Sequence, residues 1–188
     1  LKKAKCECKL KNQLRIFSKI IIDTDLLYNN FKTFNKIANS SLVRGEEIPK
    51  GLFHLVCTIV VQHSDGSYLL TQRDENKKFG GMWELSAGGS ALKDEKPIDC
   101  ARRELKEETG IITGEMTEIL RTSSDETQSI YVVYLCKTDC LKNSVKLQAG
   151  ETVSYKWLSK DAILEMNEEI LLFAPYRNRV KEFIQGLN

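Results

Sequence analysis

Three glutamates close together, Glu104, Glu107 and Glu108, are the side chains best suited to chemistry. At about 100° of rotation per helical residue they fall within roughly 100° of arc, on one side of a helix. Carboxylates placed in this way repel one another, and near a helix C-terminus they oppose the macrodipole. An oxygen-only cluster of this kind suits a hard cation such as Mg²⁺ or Mn²⁺. For the glutamates alone, a solvated face balanced by neighbouring Arg and Lys is the simpler interpretation.

The helix that would carry these glutamates has both of its ends marked in the sequence. Pro97 suits the first helical turn, and Gly110 suits the position just after the last turn. Apolar residues recur on one face at helical spacing and should pack inward. These residues are Ile98, Ala101 and Leu105. We therefore predict an amphipathic helix over residues 97–109.

A longer pattern surrounds the glutamates and decides between the two interpretations. The segment 89–111 matches G-x5-E-x7-R-E-U-x-E-E-x-G-U, with U aliphatic, at every specified position. The matching residues are Gly89, Glu95, Arg103, Glu104, Leu105, Glu107, Glu108, Gly110 and Ile111. At average residue frequencies, chance gives such a match roughly once in a billion starting positions. On this motif, the Nudix box, the sequence resembles the Nudix hydrolases.

The similarity to Nudix hydrolases continues on both sides of the box, from about Arg44 to the C-terminus. It includes LLTQRDENKKFGGMWELSAGG, and the sequence departs at Ser86-Ala87, where many members have a proline before the paired glycines. The departure concerns loop geometry more than metal binding. The resemblance implies an α+β protein with the Nudix fold, an α/β/α sandwich around a mixed β-sheet.

The resemblance also implies a role for each residue of the box. Glu104 and Glu108 are expected to be direct ligands of Mg²⁺, or of Mn²⁺. Glu107 would be a third ligand or the partner of a second ion, and the carbonyl of Gly88 a backbone ligand. The other box residues would be structural, with Arg103 orienting a glutamate and Glu95 holding the loop or an outer-sphere contact. These structural residues are Gly89, Glu95, Arg103 and Gly110.

The implied reaction is attack of water on a phosphorus of a nucleoside diphosphate linked to a group X, which gives NMP and P-X. Glu107 and Glu108 would take part through the metal. The general base, or another metal contact, would be a glutamate on a later loop, and Glu151 lies six residues before Trp157 as such a glutamate often does. Glu84, Glu118 and Glu126 are rival candidates.

We expect the substrate to be a small molecule with a diphosphate linkage, and a nucleotide is the first candidate. Arg73, Lys77 and Lys78 lie where a strand end and a loop could contact a phosphate. A simple exposed basic loop is an equally good interpretation of these three residues. Oxidised nucleoside triphosphates, nucleotide sugars, dinucleoside polyphosphates and non-nucleotide diphosphates all remain open for the group X.

Two other functions are compatible with the same fold. One is a Nudix module that binds nucleotides or proteins without turnover, usually after loss of box residues, whereas this box is complete. The other is an enzyme like isopentenyl-diphosphate isomerase, which needs a cysteine and a glutamate in family-specific contexts. Cys57, in HLVCTIV, is not in such a context, so the box favours hydrolysis.

The remaining elements form one domain with an extension. Residues 1–48 are predicted to be an N-terminal extension, partly flexible, and residues 49–188 a Nudix hydrolase domain. The first 22 residues have seven Lys or Arg against one acidic residue; this basic segment could touch nucleic acid or lipid, but a solvated tail is the simpler interpretation.

Within the domain, residues 54–63 and 67–73 alternate as strands around the turn signal Ser64-Asp65-Gly66, which predicts a β-hairpin. A short strand is predicted at Trp83-Glu84-Leu85. Later strands are predicted over 118–122, 130–137 and 153–158, and helices over 160–166 and 175–185.

Bulk composition narrows the class of protein. The 188 residues are 41% hydrophobic and 29% charged, which is typical of one globular domain. The net charge of +2 gives no reason to expect binding to a nucleic acid polymer. No apolar run reaches the ~18 residues of a membrane span. The six cysteines show no zinc spacing. We expect reduced thiols, a cytoplasmic location and, by resemblance, a possible homodimer.

Overall fold

A mixed sheet of ten strands forms the centre of the protein in the computed structural model, which describes residues 21–23, 37–38, 47–50, 52–112, 114–175 and 179–187. The strands are β1 (Ile21–Asp23), β2 (Ile37–Ala38), β3 (Leu52–His63), β4 (Tyr68–Arg73), β5 (Trp83–Glu84), β6 (Gly88–Ser90), β7 (Glu115–Ser124), β8 (Ser129–Thr138), β9 (Thr152–Leu158) and β10 (Leu171–Leu172). The predicted strands are thus present, with slightly shifted ends.

The long strand β3 organises the sheet, because several strands pair with it. β8 runs parallel to it over its length, from His54 opposite Ser129 to His63 opposite Thr138. Three short segments pair with β3 in antiparallel fashion, β1 near its start, β6 at its middle and β4 at its end. β7 pairs with the far side of β8, and β9 and β5 pair with β4. The sheet is therefore mixed, as predicted.

The predicted β-hairpin is correct in its turn and wrong in its pairing. The Asp65 side chain accepts the backbone N–H of Ser67 at 3.0 Å, and Gly66 has a φ of 88°, as a tight turn requires. Beyond the turn, β3 and β4 pair only at Gln62 and Tyr68. The two strands separate because β6 pairs with the middle of β3, while β4 pairs along its length with β9.

Three α-helices cover the sheet in the described part of the chain: α1 (Pro97–Thr109), α2 (Lys160–Glu165) and α3 (Val180–Gly186). α1 has the predicted bounds and ends at Gly110, whose φ of 72° places it in the left-handed region. α2 begins after Ser159, whose side chain accepts the N–H of Ala162. The last helix starts five residues later than predicted, at Val180.

Apolar side chains pack on both faces of the sheet, because successive residues of a strand point to opposite faces. On one face, Cys57 and Ile59 of β3 pack in the same cluster as Ala101 and Leu105 of α1. On the other, Val60 packs with residues of α2 and α3. The predicted α/β/α sandwich is confirmed, and α1 is held rigidly against the sheet by its buried apolar stripe.

Two short strands come from the region predicted to be an extension. β1 pairs with the start of β3, and β2 pairs with β1, so residues 21–23 and 37–38 extend the central sheet. The basic segment 1–20, with Cys6 and Cys8, lies outside the described residues, and the boundary near residue 48 stays a prediction. Among the residues described, no helix is long and apolar enough to cross a membrane.

Candidate active site

The acidic face of α1 lies directly against the glycines of β6. The Gly88 N–H donates to Oε2 of Glu108 at 3.3 Å, and only 7% of Glu108 is exposed. A Cβ at Gly89 would lie 2.4 Å from the carboxylate carbon of Glu104, closer than non-bonded atoms can approach. Gly89 therefore leaves room for the Glu104 carboxylate, while the backbone of Gly88 contacts Glu108.

Arg103 connects the acidic residues of the box. Its Nε and Nη2 donate to the two oxygens of Glu95 at 2.8 and 2.9 Å, and Nη1 donates to Glu104 at 2.6 Å. Nη1 also lies 3.5 Å from Glu107, and Nη2 donates to the Ser90 carbonyl at 3.2 Å. A planar guanidinium can make these bonds at once. The contacts fit the expected role, in which Arg103 orients glutamates.

Glu95 fastens the loop before α1. Its Oε2 accepts the N–H of Leu92 at 2.8 Å as well as the bond from Arg103. Burial alone would raise the pKa of Glu95, but these hydrogen bonds outweigh it, and its pKa is lowered. Glu95 is therefore held as an anion that joins Arg103 to the loop before α1.

The carboxylates next to β6 are in the opposite situation. Burial raises the pKa of Glu108 to about 8, and the charges of Glu84 and Glu104 add to this. Burial also raises the pKa of Glu104, which the contact with Arg103 only partly opposes. The pKa of Glu84 is raised by burial as well, against the effect of Arg73. All three carboxyl groups therefore hold a proton more tightly than an exposed glutamate does.

The donor set is suited to a hard divalent cation. Among the residues described, no group of three His, Cys, Asp or Glu side chains converges as a ready-made metal site. Mg²⁺ does not need one, because it commonly takes one or two carboxylates and completes its shell with waters and substrate phosphates. Glu108, which is buried, and Glu104, which is half-buried, offer only oxygen ligands and repel each other, so they fit this requirement. A cation between them would relieve the repulsion.

The basic residues predicted for substrate binding are already engaged. Arg73 Nη1 donates to both oxygens of Glu84 at 3.0 and 2.8 Å, and its Nε donates to the Lys78 carbonyl at 3.0 Å. Lys77 forms an ion pair with Glu151. Arg73 thus fixes a buried carboxylate and a loop, whereas the ammonium of Lys78 lies 5.3 Å from the centre of the Phe79 ring.

Glu151 is connected to the acidic cluster through its contacts with Asp74 and Lys77. Its carbonyl accepts the N–H of Asp74 at 2.9 Å, and its carboxylate pairs with Lys77. The positive charge of Lys77 also lowers the pKa of Glu84 and Glu108 against their burial, so this lysine lies between Glu151 and the acidic cluster. These contacts join the loop after β4 to the loop before β9.

The rival glutamates are placed differently. Glu84 lines the same cavity as Gly88, and its charge is felt by Glu108. Glu118 is bound by Arg121 on β7, at 2.8 and 2.7 Å, and Glu126 lies in the turn between β7 and β8. Of the three, Glu84 is the one that the structure brings to the acidic cluster.

A cavity of about 220 Å³ opens beside these carboxylates. Gly88 and Glu84 form part of its wall, together with Arg73, Lys78 and Phe79. Its apolar and aromatic lining is completed by Val56, Leu85, Ala87, Tyr131, Leu172, Phe173 and Ala174. A larger cavity of about 610 Å³ lies beside His63 and Lys137 at the far end of β3, and none of the cluster carboxylates lines it.

Sequence reasoning did not identify Phe79 or Tyr131 as part of this site. Tyr131 belongs to a strand whose alternation predicts only burial, so nothing local marks it. Phe79 carries a weak signal, as a large apolar residue followed by two glycines in a polar loop. Trp83, in contrast, packs in the core, with Lys156 Nζ 3.8 Å from its ring centre.

Comparisons with known proteins give a consistent result. An uncharacterized Nudix hydrolase of Listeria monocytogenes is 28% identical over 153 residues, 81% of this chain and 88% of that protein. The nucleoside triphosphatase NudI of Escherichia coli is 29% identical over 122 residues, 58% of this chain and 84% of that protein.

Solved structures share the fold. DR0079 from Deinococcus radiodurans superposes with a TM-score of 0.63 at 16% identity, over 89% of this chain and 96% of that one. The Nudix domain of NrtR from Shewanella oneidensis, solved with ADP ribose, gives a TM-score of 0.55 at 20% identity, over 70% and 83%. The NUDIX domain model matches residues 52–179. With the complete box, the buried carboxylates and this match, the chain belongs to the NUDIX domain family and is a Nudix pyrophosphohydrolase.

Proposed function

We propose that the protein catalyses metal-dependent hydrolysis of a diphosphate linkage in a nucleotide, with NMP and P-X as products. The observation that carries the proposal is the pair Glu104 and Glu108 beside Gly89 and Gly88. Glu108 is buried, Glu104 is half-buried, and the pKa of each is raised by burial and by neighbouring negative charge. A purely structural face would be solvated or neutralised. Carboxylates in such surroundings are stabilised either by a proton, as in the metal-free protein, or by a bound cation.

Glu104 and Glu108 would hold Mg²⁺ or Mn²⁺, with Glu107 and the Gly88 carbonyl as further ligands. When bound, such a cation offsets charge on the phosphate oxygens and makes a water molecule easier to deprotonate. Arg103 keeps Glu104 in place through its 2.6 Å bond while its other nitrogens are fixed by Glu95. The chain thus supplies a ligand whose position is set before substrate arrives.

Two carboxylates compete for the role of general base. Glu151 pairs with Lys77 through Oε2, and Lys77 also acts electrostatically on Glu108. Glu84 lines the cavity, but both of its oxygens accept bonds from Arg73, which leaves it less free to take a proton. We therefore keep Glu151 as the proposed base and assign Lys77 and Lys78 to the substrate phosphates.

Nucleotides are the proposed substrates. NudI is named as a nucleoside triphosphatase, and the NrtR domain was solved with ADP ribose; both support a nucleotide without choosing one. A cytoplasmic location is supported by Cys57, Cys100, Cys136 and Cys140, which are free thiols. A homodimer is part of the proposal by resemblance alone.

The test measures release of NMP from nucleoside triphosphates, nucleotide sugars and dinucleoside polyphosphates. Each compound is assayed once with Mg²⁺ and once with a chelator. We expect at least one compound to release NMP only with metal, and Glu108→Gln to lower kcat by at least about a hundredfold. Glu118→Gln, on β7, is the matched control and should keep wild-type turnover. Binding without turnover would contradict the proposal in favour of a non-catalytic module. Unchanged turnover in Glu108→Gln would show that the acidic helix is not the metal site.

A further inference from the structure

Phe79 stands out among the residues that line the 220 Å³ cavity. Its side chain is 38% exposed, although apolar side chains of this size are normally buried. Its φ of 62° lies in the left-handed region, which is strained for a bulky residue. Backbone strain of this kind persists only where the surroundings impose it, and it is concentrated at functional sites.

The surroundings of Phe79 impose this conformation through named bonds. Arg73 Nε donates to the carbonyl of Lys78 at 3.0 Å, and the N–H of Met82 donates to the carbonyl of Phe79 at 3.3 Å. Arg73 is itself fixed by Glu84, whose charge acts on Glu108. The loop that presents the aromatic ring is thus tied, through two side chains, to the carboxylates proposed to bind metal.

The cavity lining combines two kinds of chemistry. Gly88 and Glu84, which contact or act on Glu108, line it together with Phe79 and Lys78, whose ammonium lies 5.3 Å from the ring centre. Its volume is below the ~300 Å³ that holds a whole drug-sized ligand, so it suits one end of a molecule. An aromatic ring beside a cation suits a planar base followed by phosphates.

We infer that Phe79 is the platform on which the base of a nucleotide substrate stacks, so that the diphosphate extends from Lys78 towards the acidic cluster. This inference rests on the proposed hydrolysis of a nucleotide and adds the residue that recognises the base. Every base has a π-face, so stacking on Phe79 selects nucleotides over non-aromatic diphosphates without selecting one base.

The test is equilibrium binding of ATP, ADP-ribose and base-free ribose 5-triphosphate, measured by calorimetry with Ca²⁺ in place of Mg²⁺. Phe79→Ala should weaken binding of both nucleotides by roughly tenfold to a hundredfold and leave ribose 5-triphosphate unchanged. Phe79→Tyr, which keeps the ring, should bind as wild type. Leu141→Ala removes a side chain that is 75% exposed outside the cavity lining and is the control.

Three outcomes would overturn the role of Phe79: unchanged nucleotide binding in Phe79→Ala, an equal loss for ribose 5-triphosphate, or a wild type that binds this base-free compound as tightly as ATP. The last two outcomes would mean that Phe79 supports the loop or the binding of the phosphates and does not bind the base. Hydrolysis measured in parallel separates the two proposals. Base-dependent binding without hydrolysis refutes the proposed function alone, whereas hydrolysis that Phe79→Ala leaves unchanged, in KM as in kcat, refutes the stacking role alone.

Discussion

The buried carboxylate of Glu108 makes the metal-free protein sensitive to pH in a predictable direction. Its pKa rises from 4.5 to about 8 because the side chain is buried next to Glu84 and Glu104. Between these two values the folded protein binds more protons at this site than the unfolded chain does. The free energy of unfolding therefore falls as the pH rises from about 4.5 to about 8.

Glu108→Gln removes this dependence, because the amide has nearly the same shape and never ionises. At pH 7 the unfolded wild type gains about 3 kcal/mol by ionising Glu108, which the folded protein keeps protonated. The variant lacks this gain in its unfolded state, so its free energy of unfolding should be higher than that of wild type by about 3 kcal/mol. For a chain of this size this corresponds to a Tm higher by roughly 6–12 °C. Below about pH 5 the difference should disappear.

The assay is urea unfolding in the presence of a chelator, from about pH 5 to pH 8.5. Glu107→Gln is the matched control, since it removes a carboxylate from the same helix whose side chain is 28% exposed, and it should show no comparable gain. A stability difference between Glu108→Gln and wild type that is absent, or that does not grow with pH, would refute the burial argument. Saturating Mg²⁺ should narrow the difference by stabilising only the wild type.

Three further substitutions test the supports of the site. Arg103→Lys cannot keep the paired bonds to Glu95, so a loss of roughly 1.5–3 kcal/mol is expected in urea unfolding; unchanged stability would contradict this. Gly89→Ala forces the Glu104 carboxylate to move and should lower kcat by roughly tenfold to a hundredfold with unchanged circular dichroism. Gly110→Ala, at a φ of 72°, should lower the Tm by about 2–8 °C without changing KM; an equal Tm would argue against a strained helix end.

The sequence predicted the features that local residues determine. α1 has its predicted bounds because Pro97 and Gly110 act within one helical turn of its ends. The approach of its glutamates to β6 follows from the box, in which Gly89 leaves room for Glu104. The two layers of helices were implied by the resemblance to the Nudix family, and the burial of β3 on both faces agrees with them.

The features that the sequence did not predict depend on pairing between distant segments. The hairpin is shorter than predicted, with β3 and β4 paired only at Gln62 and Tyr68, because β6 pairs with the middle of β3. No residue near the turn reveals this. The hydrogen bonds from Arg73 to Glu84 form because β5 pairs with β4, where Glu84 lies opposite Thr71, two residues before Arg73. The contact between Lys77 and Glu151 joins residues 74 positions apart. Such contacts depend on sheet topology and not on local propensity.

Binding of Mn²⁺ measured by electron paramagnetic resonance tests most directly whether the acidic face of α1 is a metal site. Titrations would compare wild type with Glu104→Gln and Glu108→Gln, with Glu118→Gln as a control on β7. We predict that wild type and the control bind Mn²⁺ equally, and that each of the two α1 variants binds it at least about tenfold more weakly. Equal affinity in all four proteins would contradict the assignment of Glu104 and Glu108 as metal ligands, and with it the proposed mechanism.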